Sequence, residues 1–238
     1  MLEIFERIKR DVRFSMDEVK AIAVSGLILG FVFAFGDWSI TNLIAAVLIV
    51  LASITFHVYA QKIVGVKLGA KVEYKLWWYG LLASLVLVFV TNGRIWWLIV
   101  PGGFTATLMA KYRIGKYRYG MNYRVLGFVG LAGPIASVIF GSIFQNINLY
   151  TPIQFSFFQK IFIWNLIYAV WSVLPIPPLD GHNTFFAGRL TYVFAAGAIA
   201  VYSLLIIFGG VYSLVWALIG AVIIYLLYLF LFERTAWY

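Results

Sequence analysis

The sequence has no cysteine and only two histidines among 238 residues. Without cysteine, neither disulfides nor thiolate metal sites can form, and two histidines leave little material for acid–base chemistry. Charged residues are also scarce, at 11% of the chain. Each histidine must therefore be judged by its surroundings, which are "ITFHVYAQKIVG" for His57 and "PLDGHNTF" for His182.

What the chain has in abundance is apolar surface. Hydrophobic residues make up 63% and aromatic residues 19% of the sequence, and the mean hydropathy is +0.95, outside the range of ordinary soluble domains. The net charge of +9 comes from basic residues in short segments between apolar runs, where positive charge usually sets membrane orientation. The composition predicts a membrane protein in contact with the lipid bilayer, with no nucleic acid as partner.

The apolar runs predict the number of membrane segments, because a spanning helix needs about 20 mostly apolar residues. Candidate segments occupy 19–36, 39–61, 76–91, 95–110, 125–146, 158–174, 190–209 and 211–232. The fourth contains Pro101-Gly102-Gly103, which is also compatible with a broken or re-entrant element. We predict an all-α, polytopic transmembrane helical bundle with about six to eight membrane segments.

The distribution of basic residues predicts the orientation of this bundle. Lysines and arginines fill the segments around 62–75 and 111–124, whereas the intervening turns are nearly free of them. Cytoplasmic loops are enriched in these residues, so both termini are expected in the cytoplasm of a multi-pass membrane protein. No repeat or long linker divides the chain, and we treat 1–238 as a single membrane domain, with a cytoplasmic lead-in at 1–18.

Asp180 is the acidic residue with the most unusual position, since it follows an apolar run in "NLIYAVWSVLPIPPLDGHNTF". Three prolines between positions 175 and 178 prevent a regular helix there. Two interpretations are open: a proline-rich surface turn, or a buried functional carboxylate. If the spans 39–61 and 158–174 both run inward, His57 and Asp180 emerge on the same side and can meet.

Three separated segments together resemble the site-2 protease family of intramembrane zinc metalloproteases. "FHVYAQKIVGVKLGA" is similar to its F-H-E-x-x-H helix, and "PGGFTATL" with "GLAGPIASVIFG" to its glycine-bearing element and A-G-P-x-x-(N/S) helix. "NLIYAVWSVLPIPPLDG" resembles its Asn-, Pro- and Asp-Gly-bearing motif. The resemblance implies a protease-like core over 39–188, followed by C-terminal helices at 190–232.

The resemblance implies a metal site with two departures from the family pattern. His57 takes the position of the first zinc histidine and Asp180 that of the third ligand. Val58 falls at the general-base glutamate and Gln61 at the second histidine. An amide is a poor substitute for imidazole, and valine cannot accept a proton. We expect the zinc of the family to be weakly bound or absent here.

The resemblance also implies positions that contact substrate. Asn165 keeps the family's first asparagine, Ser172 replaces the second, and Pro175 lies in the same motif. Gly102 and Gly103 fall in the glycine-bearing element. There we expect a backbone edge that can bind an extended substrate by strand addition.

His182 leaves a second ligand set open, because it lies two residues after Asp180. A His57, Asp180 and His182 set is one alternative. In the other, His182 makes ordinary hydrogen bonds in the following loop, and Gln61 bonds to Asp180 or to a backbone carbonyl freed by the prolines.

Three functions follow from these alternatives. The leading one is a catalytically impaired pseudoprotease that binds transmembrane segments of other membrane proteins. The second is an active intramembrane zinc endopeptidase, either with the rearranged ligands or with a native motif that has been altered. The third is a transporter or channel, which inverted repeats or several intramembrane charges would favour, and neither feature is visible.

Overall fold

The computed structural model describes residues 2–109, 120–150, 156–209 and 213–233. The described residues form nine α-helices and two strands. In chain order these elements are α1 (Leu2–Asp11), α2 (Met16–Ala34), α3 (Ile40–Leu68), β1 (Ala70–Leu76), α4 (Trp78–Val90), β2 (Gly102–Leu108), α5 (Tyr123–Tyr150), α6 (Ser156–Ser172), α7 (Asp180–Ala187), α8 (Arg189–Gly209) and α9 (Ser213–Tyr228). A π-helical turn, Leu229–Glu233, continues α9.

Long apolar helices dominate the fold. Four stretches are long and apolar enough to cross a membrane: Ile40–Leu68, Tyr123–Tyr150, Arg189–Ile206 and Ser213–Glu233. The prediction of an all-α, polytopic membrane protein is confirmed. Part of the basic segment used for the orientation prediction, 110–119, lies outside the described residues.

The segment 95–110 differs from the predicted membrane helix. Its first part has no regular secondary structure, and Gly102–Leu108 is the strand β2. Pro101 lacks an amide proton and two glycines follow it, so helix is disfavoured there. The residues after them alternate between threonine and apolar side chains, which fits a strand with one solvated face. The helical interpretation of this segment was wrong.

The two strands pair antiparallel, with Val72 opposite Ala106 and Tyr74 opposite Phe104. Alternate residues of β1 are buried, and the intervening positions carry Lys71, Glu73 and Lys75 on the other face. This period of two is the pattern of a strand that packs one face on a core. The small sheet thus lies over the end of α3 that follows His57.

A buried ion pair fixes the outer edge of β1. Lys62 Nζ lies 2.7 Å from Glu18 Oε1 and donates to the carbonyl of Val72 at 2.9 Å. Glu18 Oε1 in turn accepts from the Tyr74 amide at 2.9 Å, and Glu18 forms a capping box with Ser15. Two side chains therefore take the places that a neighbouring strand would fill.

The surroundings of Glu18 shift its acidity. Burial by itself raises the pKa of the Glu18 carboxyl, but hydrogen bonds from Lys62 and from the Ser15 and Tyr74 amides outweigh it, so the pKa lies below its ordinary value of 4.5. The folded state therefore favours the carboxylate, and unfolding takes up a proton in acid.

We predict that the free energy of unfolding falls as the pH drops below about 4.5, through the lowered pKa of Glu18. Glu18→Gln should remove that part of the pH dependence and cost about 3–5 kcal/mol at neutral pH, because Lys62 is left buried without its partner. Unfolding in mixed micelles measures both effects. The exposed pair Lys71–Glu73, 2.7 Å apart on the same strand, supplies the control: Glu73→Gln should cost less than about 1 kcal/mol. Equal losses would contradict the prediction.

Candidate functional site

The site forms around His57, which is buried on α3 and held from two sides. Its Nε2 lies 2.7 Å from Asp180 Oδ2 and donates to that carboxylate. Its Nδ1 lies 2.8 Å from Ser137 Oγ on α5. With the proton on Nε2, Nδ1 accepts the hydroxyl proton of Ser137. The ring of Tyr168, on α6, lies 4.5 Å from the imidazole between centroids. Side chains from α5, α6 and α7 thus hold the imidazole that α3 carries.

Gln61 and Val58 lie on the same helix as His57. Gln61 follows His57 by one turn, so both side chains lie on one face of α3, and the Gln61 amide nitrogen lies 3.4 Å from His57 Nε2. Val58 is 0% exposed and belongs to the same core cluster as Tyr168. The hydrocarbon side chain of Val58 is therefore packed in the core.

Three glycines on one face of α5 allow the surrounding elements to approach. A Cβ at Gly127 would collide with Ala187, and one at Gly130 would lie 2.7 Å from the Asp180 carbonyl. A Cβ at Gly133 would collide with the His57 imidazole. The stripe acts in packing, and it brings α7 and the His57 ring onto the same helix.

Asp180 is directed at His57 by the start of α7. The chain leaves α6, passes through the proline-rich turn and begins α7 at Asp180. Gly181 contacts the carbonyl of Val173 so closely that a Cβ would collide with it. Asp180 is buried, which excludes the surface-turn interpretation.

Asn165 and Ser172 are buried within the bundle. Asn165 donates to Ser53 Oγ at 2.9 Å and to the Ile161 carbonyl at 2.8 Å, which ties α6 to α3. Its Oδ1 has no hydrogen-bond partner among the described residues. Ser172 donates to the Ala169 carbonyl at 3.0 Å. Within the described residues, neither side chain forms a hydrogen bond with His57.

The glycines of β2 meet the proline-rich turn. Gly103 packs against the Pro178 carbonyl so tightly that a Cβ would collide with it. Gly102 and Gly103 are buried at the start of β2, whereas Pro175 is exposed. The strand and the turn that precedes Asp180 are thus in direct contact.

His182 lies apart from this group. Its ring packs edge-on against Phe186, with centroids 4.8 Å apart. On α7, Asp180, Gly181 and Thr184 are buried while His182 is half-buried. Within the described parts of the chain, no cluster of three His, Cys, Asp or Glu side chains could hold a metal ion.

Sequence reasoning missed three contributors to the site: Ser137, Tyr168 and the Lys62–Glu18 pair. Ser137 was visible as the polar residue one turn after Gly133 in "AGPIAS". Tyr168 looked like any aromatic residue in an apolar helix. Lys62 was assigned to a basic loop, and its position inside α3 became evident only from the structure.

The side chains around His57 can be compared with the ligands that zinc prefers. His57 Nε2 and Asp180 Oδ2 converge on one point, and both are ordinary zinc ligands. The side chain next to them on α3 is the Gln61 amide, and amide oxygens bind harder cations in preference to zinc. A catalytic zinc site uses three protein ligands and an open position for water. Two strong ligands therefore do not make the site that a zinc hydrolase needs.

Comparison with known proteins gives one match. No family model matches the chain, and no solved structure matches it. The chain is 29% identical over 174 residues to a protein of Methanocaldococcus jannaschii whose name reads "Putative zinc metalloprotease MJ0611". The match covers 72% of this chain and 84% of that protein. This similarity suggests a metalloprotease family, and zinc as the metal of that family.

Proposed function

We propose that this protein is a site-2 protease family member that binds membrane segments of other proteins without hydrolysing them. The observation that carries the proposal is the composition of the buried site: His57 and Asp180 bond directly to each other at 2.7 Å, with Val58 and Gln61 at the base and second-histidine positions. The similarity to a protein named as a zinc metalloprotease supports the family.

Loss of hydrolysis follows from the general-base position. Attack of water on a peptide bond needs a group within hydrogen-bond reach that accepts a proton. Val58 cannot accept one, and loss of a general base alone costs about 10² to 10⁴ in rate. His57 is already engaged by Asp180 and Ser137. The site is arranged as a hydrogen-bonded core contact.

Binding by strand addition is supported by the edges of the small sheet. The Val72 carbonyl and the Tyr74 amide of β1 point away from β2. Their bonds to the Lys62 and Glu18 side chains show this direction. In an antiparallel pair the opposite residues, Ala106 and Phe104, then also direct their backbone groups outward.

The outer edge of β2 is available for pairing. Among the described residues, nothing forms a hydrogen bond with the outward backbone groups of Phe104 or Ala106. An extended segment of a partner can pair there, beside the turn that carries Asp180. From the positive-inside rule we expect this edge, and both termini, on the cytoplasmic side.

The test removes one amide proton from the outer edge of β2. Ala106→Pro should leave pairing with β1 in place, since proline is tolerated where the lost amide faces outward. We expect it to weaken binding of a fluorescent single-span peptide with an extended tail, in nanodiscs, by about tenfold. Ala106→Val keeps the amide and should bind as the unmodified chain does.

The same samples, analysed by mass spectrometry, report cleavage. We expect intact peptide in every case. Cleavage by the unmodified chain would contradict the proposed loss of hydrolysis. Equal binding of the peptide by the proline and valine variants would contradict its pairing with the outer edge of β2.

A further inference from the structure

Two adjoining cavities lie in the bundle: the first is at the end opposite the His57 site, and the second runs along α6 from that end to the depth of Tyr168. The first, about 420 Å³, includes Asp37, Asn42 and Lys160 in its wall. Asn42 precedes His57 on α3 by about 22 Å along the helix axis. The second, about 570 Å³, is lined mostly by apolar side chains of α6 and α8, and three tryptophans, Trp96, Trp97 and Trp171, belong to its wall. Trp96 and Ile163 line both cavities.

The first cavity carries one charge of each sign. Lys160 Nζ donates to Asn42 Oδ1 at 3.3 Å, and Asn42 Nδ2 donates to the Asp37 carbonyl at 3.2 Å. Lys160 is half-buried and Asp37 is exposed. A cation and a carboxylate on one wall complement a ligand that also carries both charges.

The second cavity is apolar and elongated. Its wall on α6 runs from Phe162 to Trp171, about 14 Å along the helix axis. Trp171 Nε1 donates to the Trp97 carbonyl at 2.6 Å, which fixes the indole in the wall. Such a surface fits a hydrocarbon chain and offers nothing to a charged ligand.

One hydroxyl interrupts the apolar lining. Ser203, on α8, is 8% exposed, and its Oγ has no hydrogen-bond partner among the described residues. A buried hydroxyl without a partner destabilises the fold, because it has lost its hydrogen bonds to water. A ligand with an oxygen along its chain, such as the carbonyl or ether oxygen near a glycerol, would satisfy it.

We propose that these cavities bind one phospholipid whose headgroup carries a phosphate and an ammonium. Lys160 binds the phosphate, the Asp37 carboxylate binds the ammonium, and one chain passes Trp96 and Ile163 into the apolar cavity. The charges at the wall favour this occupant over a protein helix, which would leave Lys160 and Asp37 without complementary groups. The site is separate from the protease-like centre.

Native mass spectrometry of the full chain in mild detergent tests the proposal with phosphatidylethanolamine, phosphatidylglycerol and diacylglycerol as probes. We expect the first to be retained most strongly and the last least. Lys160→Gln should weaken retention of both phospholipids by about tenfold, as for a lost charge-assisted hydrogen bond. Lys160→Arg should restore it. Asp37→Asn should abolish the preference for phosphatidylethanolamine over phosphatidylglycerol.

The matched control is Arg94→Gln, which removes one positive charge near the same end of the bundle but outside the cavity lining. It should leave retention unchanged. Ser203→Phe fills the apolar cavity and should reduce retention of all three probes. Equal losses in Lys160→Gln and Arg94→Gln, equal retention of the three lipids, or a protein helix found crosslinked at Ser203 in place of lipid would overturn the proposal.

Discussion

Replacing Val58 with glutamate and Gln61 with histidine is expected to raise the zinc content of the purified protein from less than one zinc ion per chain to one. Positions 57 and 61 lie on one face of α3, and Asp180 Oδ2 already lies 2.7 Å from His57 Nε2. The double substitution therefore adds the missing third ligand where two converge, together with a base beside them. Metal analysis of the purified chain measures the change.

Single substitutions separate the metal from the chemistry. Gln61→His alone should bind zinc without cleaving peptide, because Val58 still provides no base. In the double variant, cleavage should lag behind zinc binding, since Ser172 remains at a position where the proposed site-2 protease family has asparagine. If instead the unmodified chain binds zinc tightly and loses it in His182→Ala, the rearranged ligand set is right and the proposed loss of function is wrong.

Gly133→Ala is expected to lower the free energy of unfolding by about 1–3 kcal/mol through overpacking. The new methyl group would collide with the His57 imidazole. The ring cannot retreat easily, because Ser137, Asp180 and the Tyr168 ring hold it on three sides. Denaturation in mixed micelles measures the loss, and ¹⁵N chemical shifts of the imidazole report whether the bond to Asp180 breaks.

Gly197→Ala on α8 is the matched control for Gly133→Ala. Its nearest neighbour is the flexible Ile224 side chain, with Cδ1 3.3 Å from the added carbon. Alanine is favoured over glycine in a helix by about 1 kcal/mol, so this variant should be neutral or more stable. A Gly133→Ala protein as stable as the control, with an unchanged imidazole spectrum, would show that His57 is not held as described.

Part of the fold follows from the sequence because the signal is local. The apolar runs predicted the helices α2, α4, α5, α6, α8 and α9 close to their observed bounds, whereas α3 continues seven residues past its predicted end at 61. The strand β1 was equally visible in "AKVEYKL", where every second residue is apolar, but the lysines led us to treat it as a loop. A period of two is as local as a helical period, so this error came from weighting charge over alternation.

The sequence by itself determined that the chain is a membrane protein and that His57 and Gln61 share one helical face, since composition and a one-turn spacing fix both. The span directions and the family resemblance also predicted that Asp180, 123 residues away, can meet His57, but only the tertiary structure showed their direct contact and brought Lys62 to Glu18. Contacts at such separation depend on how closely helices pack, here through the glycine stripe of α5. That packing is decided jointly by all the contacting side chains, and no local pattern encodes it.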